Sequence, residues 1–403
     1  MNAVGIDVSK GKSMICVLQP FGKIVAKPFE VQHTLSSINH LIAYLKGLEG
    51  ETRIVMEHTG RYYEPMAKWL GQANLFVSAV NPKLIKDFSI NSLRKVKTDK
   101  ADSKKIARYT LDRWHELRQY NLMDETRSKL KTMNRQFAFY SRHKTAIVNN
   151  LIALIDETYP GANDFFDSPA RADGSQKWVD FIATFWHVDI VRAMSEAAFT
   201  ERYKKFCKSH GYNFQPHRAA EIYQISCDLI AMLPKDDLTK TLIKQAVDQL
   251  NTISKTVEDL RQQMDKLAQT LPEYEVVLSM TGVGKSLGPQ LIAEIGDLTR
   301  FSHRGALTAF AGVDPSCTQS GKVESKSGKS SKRGSAHLRR TLFQIMDVLI
   351  KRKPQDDAVY NFIDKKRSEG KPYYVYMTAG MNKFLRIYYG RVREYLESME
   401  NPD

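Results

Sequence analysis

The chain is poor in the residues that staple small or secreted proteins. Of its 403 residues four are cysteine, Cys16, Cys207, Cys227 and Cys317, and no two of them form a C-x-x-C pair. That argues against a zinc ribbon, an iron–sulfur site and a disulfide scaffold, and leaves reduced thiols as the expectation. No apolar run approaches the ~18 residues a membrane span needs. The start, Met-Asn-Ala-Val-Gly-Ile-Asp, has neither the basic nor the apolar region of a signal peptide. Internal repeats and low-complexity tracts are missing too. Acidic residues are in deficit: 45 Asp and Glu stand against 60 Lys and Arg, a net charge of +15. These absences exclude secreted, membrane-spanning, collagenous and disordered classes. What is present, 42% hydrophobic and 26% charged residues, suits a cytoplasmic globular protein with a large core, two or three domains and a surface that attracts polyanions.

Periodicity divides the chain. Residues 4–8, 14–18 and 24–31 are β-like runs, with a turn at Phe21-Gly22-Lys23 between the last two. Leu35, Ile38, Leu41, Ile42 and Leu45 form a helical stripe. Strand, helix and strand follow at 53–56, 62–70 and 75–80. Three strands first, then helix and strand in alternation, is the element order of an RNase H-like sheet; a doubly wound fold would put a helix between the first two strands. From Leu130 apolar residues recur in steps of three and four to Leu154, interrupted by Lys144. The pattern returns unbroken from Ile243 to Leu271. Sustained 3.5-residue spacing predicts a coiled coil, the two segments pairing with each other or with another chain; long helices packed on their own domain are the alternative. The aromatic-rich residues 158–235 read as a helical insertion with its own small core. The expected organisation is an α/β domain over 1–115, a coiled-coil region over 116–271 with that insertion, and a basic, mainly helical domain over 272–403.

Three groups of residues have chemical potential. Asp7 lies within the first strand, and Glu57 ends the apolar strand Ile54-Val55-Met56; a carboxylate there is costly unless it binds something. Asp99 and Asp102 are three apart and share a helix face. Together the four offer an oxygen-only set suited to Mg²⁺ or Mn²⁺ and to phosphoryl transfer. Ion pairing with Lys97, Lys100, Lys104 and their basic neighbours is the plainer reading of the last two. The second group, Gly282-Val283-Gly284-Lys285-Ser286, fails the P-loop pattern because Ser279 stands where glycine is required. A Gly-x-Gly turn between two short helices either presents N–H groups to a nucleic-acid phosphate, with Lys285 beside them, or is a plain turn. The third runs from Ala311-Gly312-Val313-Asp314 through Gln319-Ser320-Gly321-Lys322 to Ser331-Lys332-Arg333-Gly334 and Leu338-Arg339-Arg340. It reads as a solvated basic loop that contacts phosphates, or as a serine nucleophile among cations.

The runs Gly5-Ile6-Asp7-Val8-Ser9, Glu57-His58-Thr59-Gly60 with Tyr63, Asn81-Pro82 and Lys97-Thr98-Asp99-Lys100-Ala101-Asp102, followed by the C-terminal motifs just quoted, resemble in order the DEDD transposases of bacterial insertion sequences. That family is also known as the bridge-RNA-guided recombinases and includes the Piv-type DNA invertases. The resemblance implies a RuvC-like first domain whose Asp7, Glu57, Asp99 and Asp102 bind divalent metal, and Ser320 as a nucleophile that forms a transient phosphoserine link to DNA. It further implies donor and target DNA and a structured guide RNA as partners, a dimer or tetramer, and a place near the nucleoid. The chain departs from the family pattern at Ser103, where alanine is commoner, and at Lys329-Ser330. The other readings are a RuvC-like nuclease in which water attacks, and a non-catalytic nucleic-acid-binding protein.

Overall fold

The computed structural model describes the chain except residues 59, 61, 89–97, 121–122, 315–318, 321–322, 325–329 and 401–403; at 319, 320, 323 and 324 it describes the backbone alone. Lys97 and Lys322 therefore lie outside the described residues, as does the side chain of Ser320. Two compact units emerge, Met1–Met123 and Asp124–Asp403. Among the described residues no helix is long and apolar enough to cross a membrane.

In the first unit β1 (Asn2–Ser9), β2 (Lys12–Gln19) and β3 (Lys23–Gln32) precede α1 (Leu35–Lys46), β4 (Thr52–Glu57), α2 (Tyr63–Gln72), β5 (Phe76–Val80), α3 (Pro82–Phe88) and α4 (Asp99–Asp112). Phe21 and Gly22 take the positive φ that reverses the chain between β2 and β3. Thr34 caps α1 by accepting the Ser37 amide. The strand order is β3-β2-β1-β4-β5. β1 runs antiparallel to β2 and parallel to β4, which is parallel to β5. This mixed sheet is consistent with an RNase H-like domain.

Alternation sorts the strands onto two faces. Val4, Ile6, Ile15, Val17, Ile54, Met56 and Val77 pack on α1 and α2 through Ile38, Leu41, Leu45, Met66 and Leu70. Cys16, Leu18 and Val55 face the other way and meet Ala107 and Ile106 of α4. The helical stripe at 35–45 marked α1 correctly, but the sequence pattern did not show that α4 returns to cover the second face.

In the second unit α5 (Glu125–Thr158) and α10 (Asp237–Ala268) are long helices that pack on each other. Each is capped by an aspartate, Asp124 and Asp236. Between them lie α6 (Lys177–Thr184), α7 (Val188–Arg192), α8 (Glu196–Ser209) and α9 (Pro216–Asp228). Their aromatics do not form a separate core. Phe181, Phe185, Phe199 and Tyr203 close around Leu151 and Ile155 of α5 and Ile243, Val247 and Leu250 of α10. The opposite end of the helix pair enters a second core. That core contains α11 (Tyr274–Leu278), α12 (Leu287–Ile295), α13 (Arg304–Ala311), α14 (Ala336–Arg352), α15 (Ala358–Ser368) and α16 (Tyr373–Glu400); the short strands β6 (Gln319–Ser320) and β7 (Val323–Glu324) lie between α13 and α14 in the chain. Between the two cores no residue is fully buried over 135–150 of α5 or 255–263 of α10.

Candidate metal centre and nucleophile loop

The carboxylates of the first unit owe their placement to one glycine. Gly5 of β1 lies directly under α4: a Cβ there would come 2.2 Å from both the Ala107 amide nitrogen and the Ser103 carbonyl oxygen. Only the missing side chain lets helix and strand approach so closely. Two residues on, Asp7 shares the face of Gly5. Gly5 pairs in register with Val55 of β4, so Glu57, two residues past Val55, stands level with Asp7 on the same face. Both lie at the carboxyl ends of parallel strands. Asp99, one turn before Ser103, and Asp102, immediately before it, occupy the first turn of α4, where the helix N-terminus favours negative charge. Thr98 caps that turn by accepting the Ala101 amide at 3.2 Å. Ser103 is fully buried and turns its hydroxyl back to the Lys100 carbonyl at 3.1 Å. The Ser103 hydroxyl is thus satisfied within α4 itself.

Asp7 feels the other three acids. Burial raises the Asp7 pKa to about 6, and Asp102, Asp99 and Glu57 push in the same direction. Asp7, Asp99 and Asp102 form no ion pair with a described residue; Lys12, which senses Asp99, is bonded to Glu30 at 2.7 Å. Ion pairing is therefore not what occupies Asp99 and Asp102 among the described residues. Even so, no group of three or more His, Cys, Asp or Glu side chains among the described residues stands close enough to hold a metal ion. The donor set still fits a hard dication in kind, being all oxygen. Lys100 is exposed and Lys104 half-buried on α4.

In the second unit the two ends of the basic loop are stitched together. The Lys332 amide donates to the Gly312 carbonyl at 3.0 Å, and the Ser331 amide to the Asp314 carbonyl at 3.0 Å. The Ser331 hydroxyl donates to Asp314 Oδ1 at 2.5 Å, and the Ser335 amide to the Phe310 carbonyl at 2.8 Å. Gly312 ends α13 in the left-handed region, φ 66°. Gly334 lies so close to Phe310 that a Cβ would come 2.0 Å from its carbonyl oxygen. Arg339 Nη1 donates to the carbonyls of Ala311 (2.9 Å) and Gly334 (3.0 Å). Arg339, expected among the phosphate contacts, is thus an internal brace of the loop. Lys332, Arg333 and Arg340 are exposed. Between the stitched ends, β6 and β7 pair antiparallel with Ser320 opposite Val323. Lys285 is exposed in the turn between α11 and α12, where Gly282 takes φ 82°.

A strand-end carboxylate set and a clamped basic loop carrying a serine occur here in one chain. A family model described as transposase, that of the DEDD IS110 type, matches residues 4–160. A second, the transposase IS116/IS110/IS902 family, matches residues 274–361. The chain belongs to the IS110/IS116/IS902 transposase family. Among its curated relatives, a mini-circle putative transposase for IS117 from Streptomyces coelicolor is 23% identical over 337 residues, 79% of this chain and 77% of the relative. A pilin gene-inverting protein of Moraxella bovis is 28% identical over 151 residues, 36% of this chain and 46% of the relative. The 42 kDa protein of insertion element IS900 from Mycobacterium paratuberculosis is 24% identical over 166 residues, 41% of each. The match thus spans less than half the length of the last two relatives.

Elsewhere in the chain, sequence reasoning missed a set of buried polar contacts. Glu273 holds Arg127 in a bidentate pair, and Glu294 holds Arg135 and Asn134. Glu294 sits in the apolar run Leu291-Ile292-Ala293-Glu294-Ile295. A lone carboxylate among apolar residues is the same signal that marked Glu57, and it would have found Glu294.

Proposed function

We propose that this chain is a metal-dependent DNA recombinase that moves an insertion sequence through a covalent phosphoserine intermediate at Ser320. What supports the reading is the level placement of Asp7 and Glu57 on neighbouring parallel strands under the helix whose first turn carries Asp99 and Asp102, with Asp7 raised by burial and further by Asp102, Asp99 and Glu57. In this reading these four carboxylates hold Mg²⁺ or Mn²⁺, which supplies Lewis-acid activation of a phosphate oxygen when bound. The Ser320 hydroxyl loses its proton and attacks phosphorus. The bond to one sugar oxygen breaks, and that oxygen leaves and takes up a proton. The hydroxyl end of a second strand later attacks the phosphoserine and frees the serine, which gives strand exchange without net hydrolysis. Lys332, Arg333 and Arg340, exposed beside the loop, balance charge on the phosphate, and Lys100, Lys104 and Lys285 contact the backbone elsewhere.

A structured guide RNA that pairs with donor and target DNA completes the proposal; the net charge of +15 suits such polyanions. Assembly as a dimer or tetramer is proposed through the middle of the α5–α10 pair. There Ile147, Val148, Val257 and Leu260 remain only half-buried within one chain. The test is to purify the protein from cells carrying its gene and flanking DNA and to sequence the nucleic acid bound to it. A single discrete RNA encoded beside the gene supports the reading. Only heterogeneous cellular RNA, with no strand exchange on the flanking DNA, rejects it.

A further inference from the structure

We propose that Glu294 is a positioning residue: it locks the closing end of the Ser320 loop against α5. This rests on the function proposed for that loop. Glu294 is 1% exposed and lies on α12, a mostly apolar helix whose other polar side chain is Gln290. Its Oε1 accepts from Asn134 Nδ2 and Arg135 Nε, and its Oε2 from Arg135 Nη2 and the Ser335 hydroxyl, each at 2.9 Å. Both oxygens are thus fully engaged. Ser335 is the residue at which the loop becomes α14. Its hydroxyl oxygen caps the helix by accepting the Leu338 amide at 3.2 Å, and its own amide donates to Phe310 at 2.8 Å. One serine therefore joins the last turn of α13, the first turn of α14 and the buried carboxylate.

Stability does not explain this arrangement. A buried ion pair commonly contributes less than a well-packed apolar replacement of the same size, and most of the α12 residues around Glu294 are buried and apolar. What a fourfold-bonded carboxylate supplies is geometry: it defines a single position of Ser335 relative to α5. A misplacement of about 1 Å in a reacting group costs on the order of a hundredfold in rate. The loop therefore needs a fixed base, and α5 contributes two of the three side chains that hold it.

The test uses the full chain with its bound nucleic acid and compares Glu294→Gln, Ser335→Ala and Ser335→Thr. Glu294→Gln keeps the shape but turns an amide group toward Arg135; Ser335→Thr keeps the hydroxyl. Two quantities are read: the rate of covalent adduct formation at saturating DNA against the DNA concentration for half-maximal rate, and hydrogen exchange of the Lys332 and Ser335 amides. Glu294→Gln and Ser335→Ala are expected to slow adduct formation about tenfold to a hundredfold, with the half-maximal DNA concentration unchanged. Both amides should exchange faster, while Ser335→Thr restores both readouts. If Glu294→Gln fails to fold, Ser335→Ala and its threonine rescue decide. Unchanged amide exchange in the folded variants overturns the proposal, as does a rate loss that follows DNA affinity. If the wild-type chain forms no adduct, the recombinase reading fails, and the exchange data alone decide whether Glu294 fixes the loop.

Discussion

Gly5 of β1 lies beneath Ala107 of α4 so closely that a Cβ on residue 5 would come 2.2 Å from the Ala107 amide nitrogen. The contact is backbone to backbone, so no side-chain rotation relieves it. It sets the height of α4 above the sheet and brings Asp99 and Asp102 to the edge that holds Asp7 and Glu57. Gly5→Ala is expected to destabilise the first unit by about 3 kcal/mol or more, beyond the usual overpacking penalty. Denaturant unfolding with a probe in residues 1–123 measures this. A Gly5→Ala chain as stable as the parent would show that α4 does not depend on this approach.

The acidity of Asp7 gives a pH prediction. Its carboxyl is held at about 6, above its ordinary value of 3.8, by burial and by Asp102, Asp99 and Glu57. The folded state therefore holds this proton more tightly than the unfolded chain does. The sign follows: the metal-free fold gains stability from Asp7 as pH falls from about 6 toward 4 and loses it as pH rises through that window. Metal must displace the proton, so Mn²⁺ affinity is expected to increase steeply between pH 5 and 7 and to level off above. Titration calorimetry at several pH values checks both the affinity and the protons released. An affinity flat across that range, or unchanged in Asp7→Asn, would remove Asp7 from the metal site.

How much of this was readable beforehand depends on the range of the interactions. The strands at 4–8, 14–18 and 53–56 and the stripe from Leu35 to Leu45 announce themselves through local periodicity, and Glu57 through its misfit at the end of an apolar run. The role of Gly5 was not readable, because it depends on a helix some hundred residues away. The heptad spacing revealed two long helices, yet it could not show that the aromatics of 158–235 would close around the ends of both. Arg339 shows the same limit. In sequence it is one more cation in a basic stretch, and only the fold shows its guanidinium bonded to Ala311 and Gly334.

Gly334 sits where any side chain would strike the Phe310 carbonyl. Gly334→Ala is expected to open the stitched base of the loop and abolish strand cleavage. Mn²⁺ binding should be retained, since the carboxylates belong to the other unit. Cleavage assays beside calorimetry on the same preparation test this. Parallel loss of metal binding would mean that the substitution acts on the whole chain.

Leu260 is half-buried on α10, in the stretch between the two cores. Leu260→Glu is expected to leave the monomer folded, because neither core includes this position, and to weaken assembly through the cost of burying a charge. Light scattering with nucleic acid present reads the mass. An unchanged mass would place the interface elsewhere.

DNA affinity should be strongly salt-dependent. Each phosphate contact on duplex DNA adds a slope of about −0.9 in log K against log salt, so replacing Lys332 or Arg333 by alanine should reduce the slope by about one. Binding indifferent to salt would contradict a backbone-dominated interface.

The central claim is that Ser320 attacks DNA with the help of the carboxylate site. Its most direct test is mass spectrometry of the protein after incubation with Mg²⁺ and its flanking DNA, digested to map any covalent nucleotide. The account predicts a phosphodiester-linked nucleotide on the peptide containing Ser320 in the parent chain. The adduct should be absent in Ser320→Ala and in Asp7→Asn, and present in Ser316→Ala. Cleaved DNA with no adduct on any residue, or full strand exchange by Ser320→Ala, would contradict it and assign the cleavage to water.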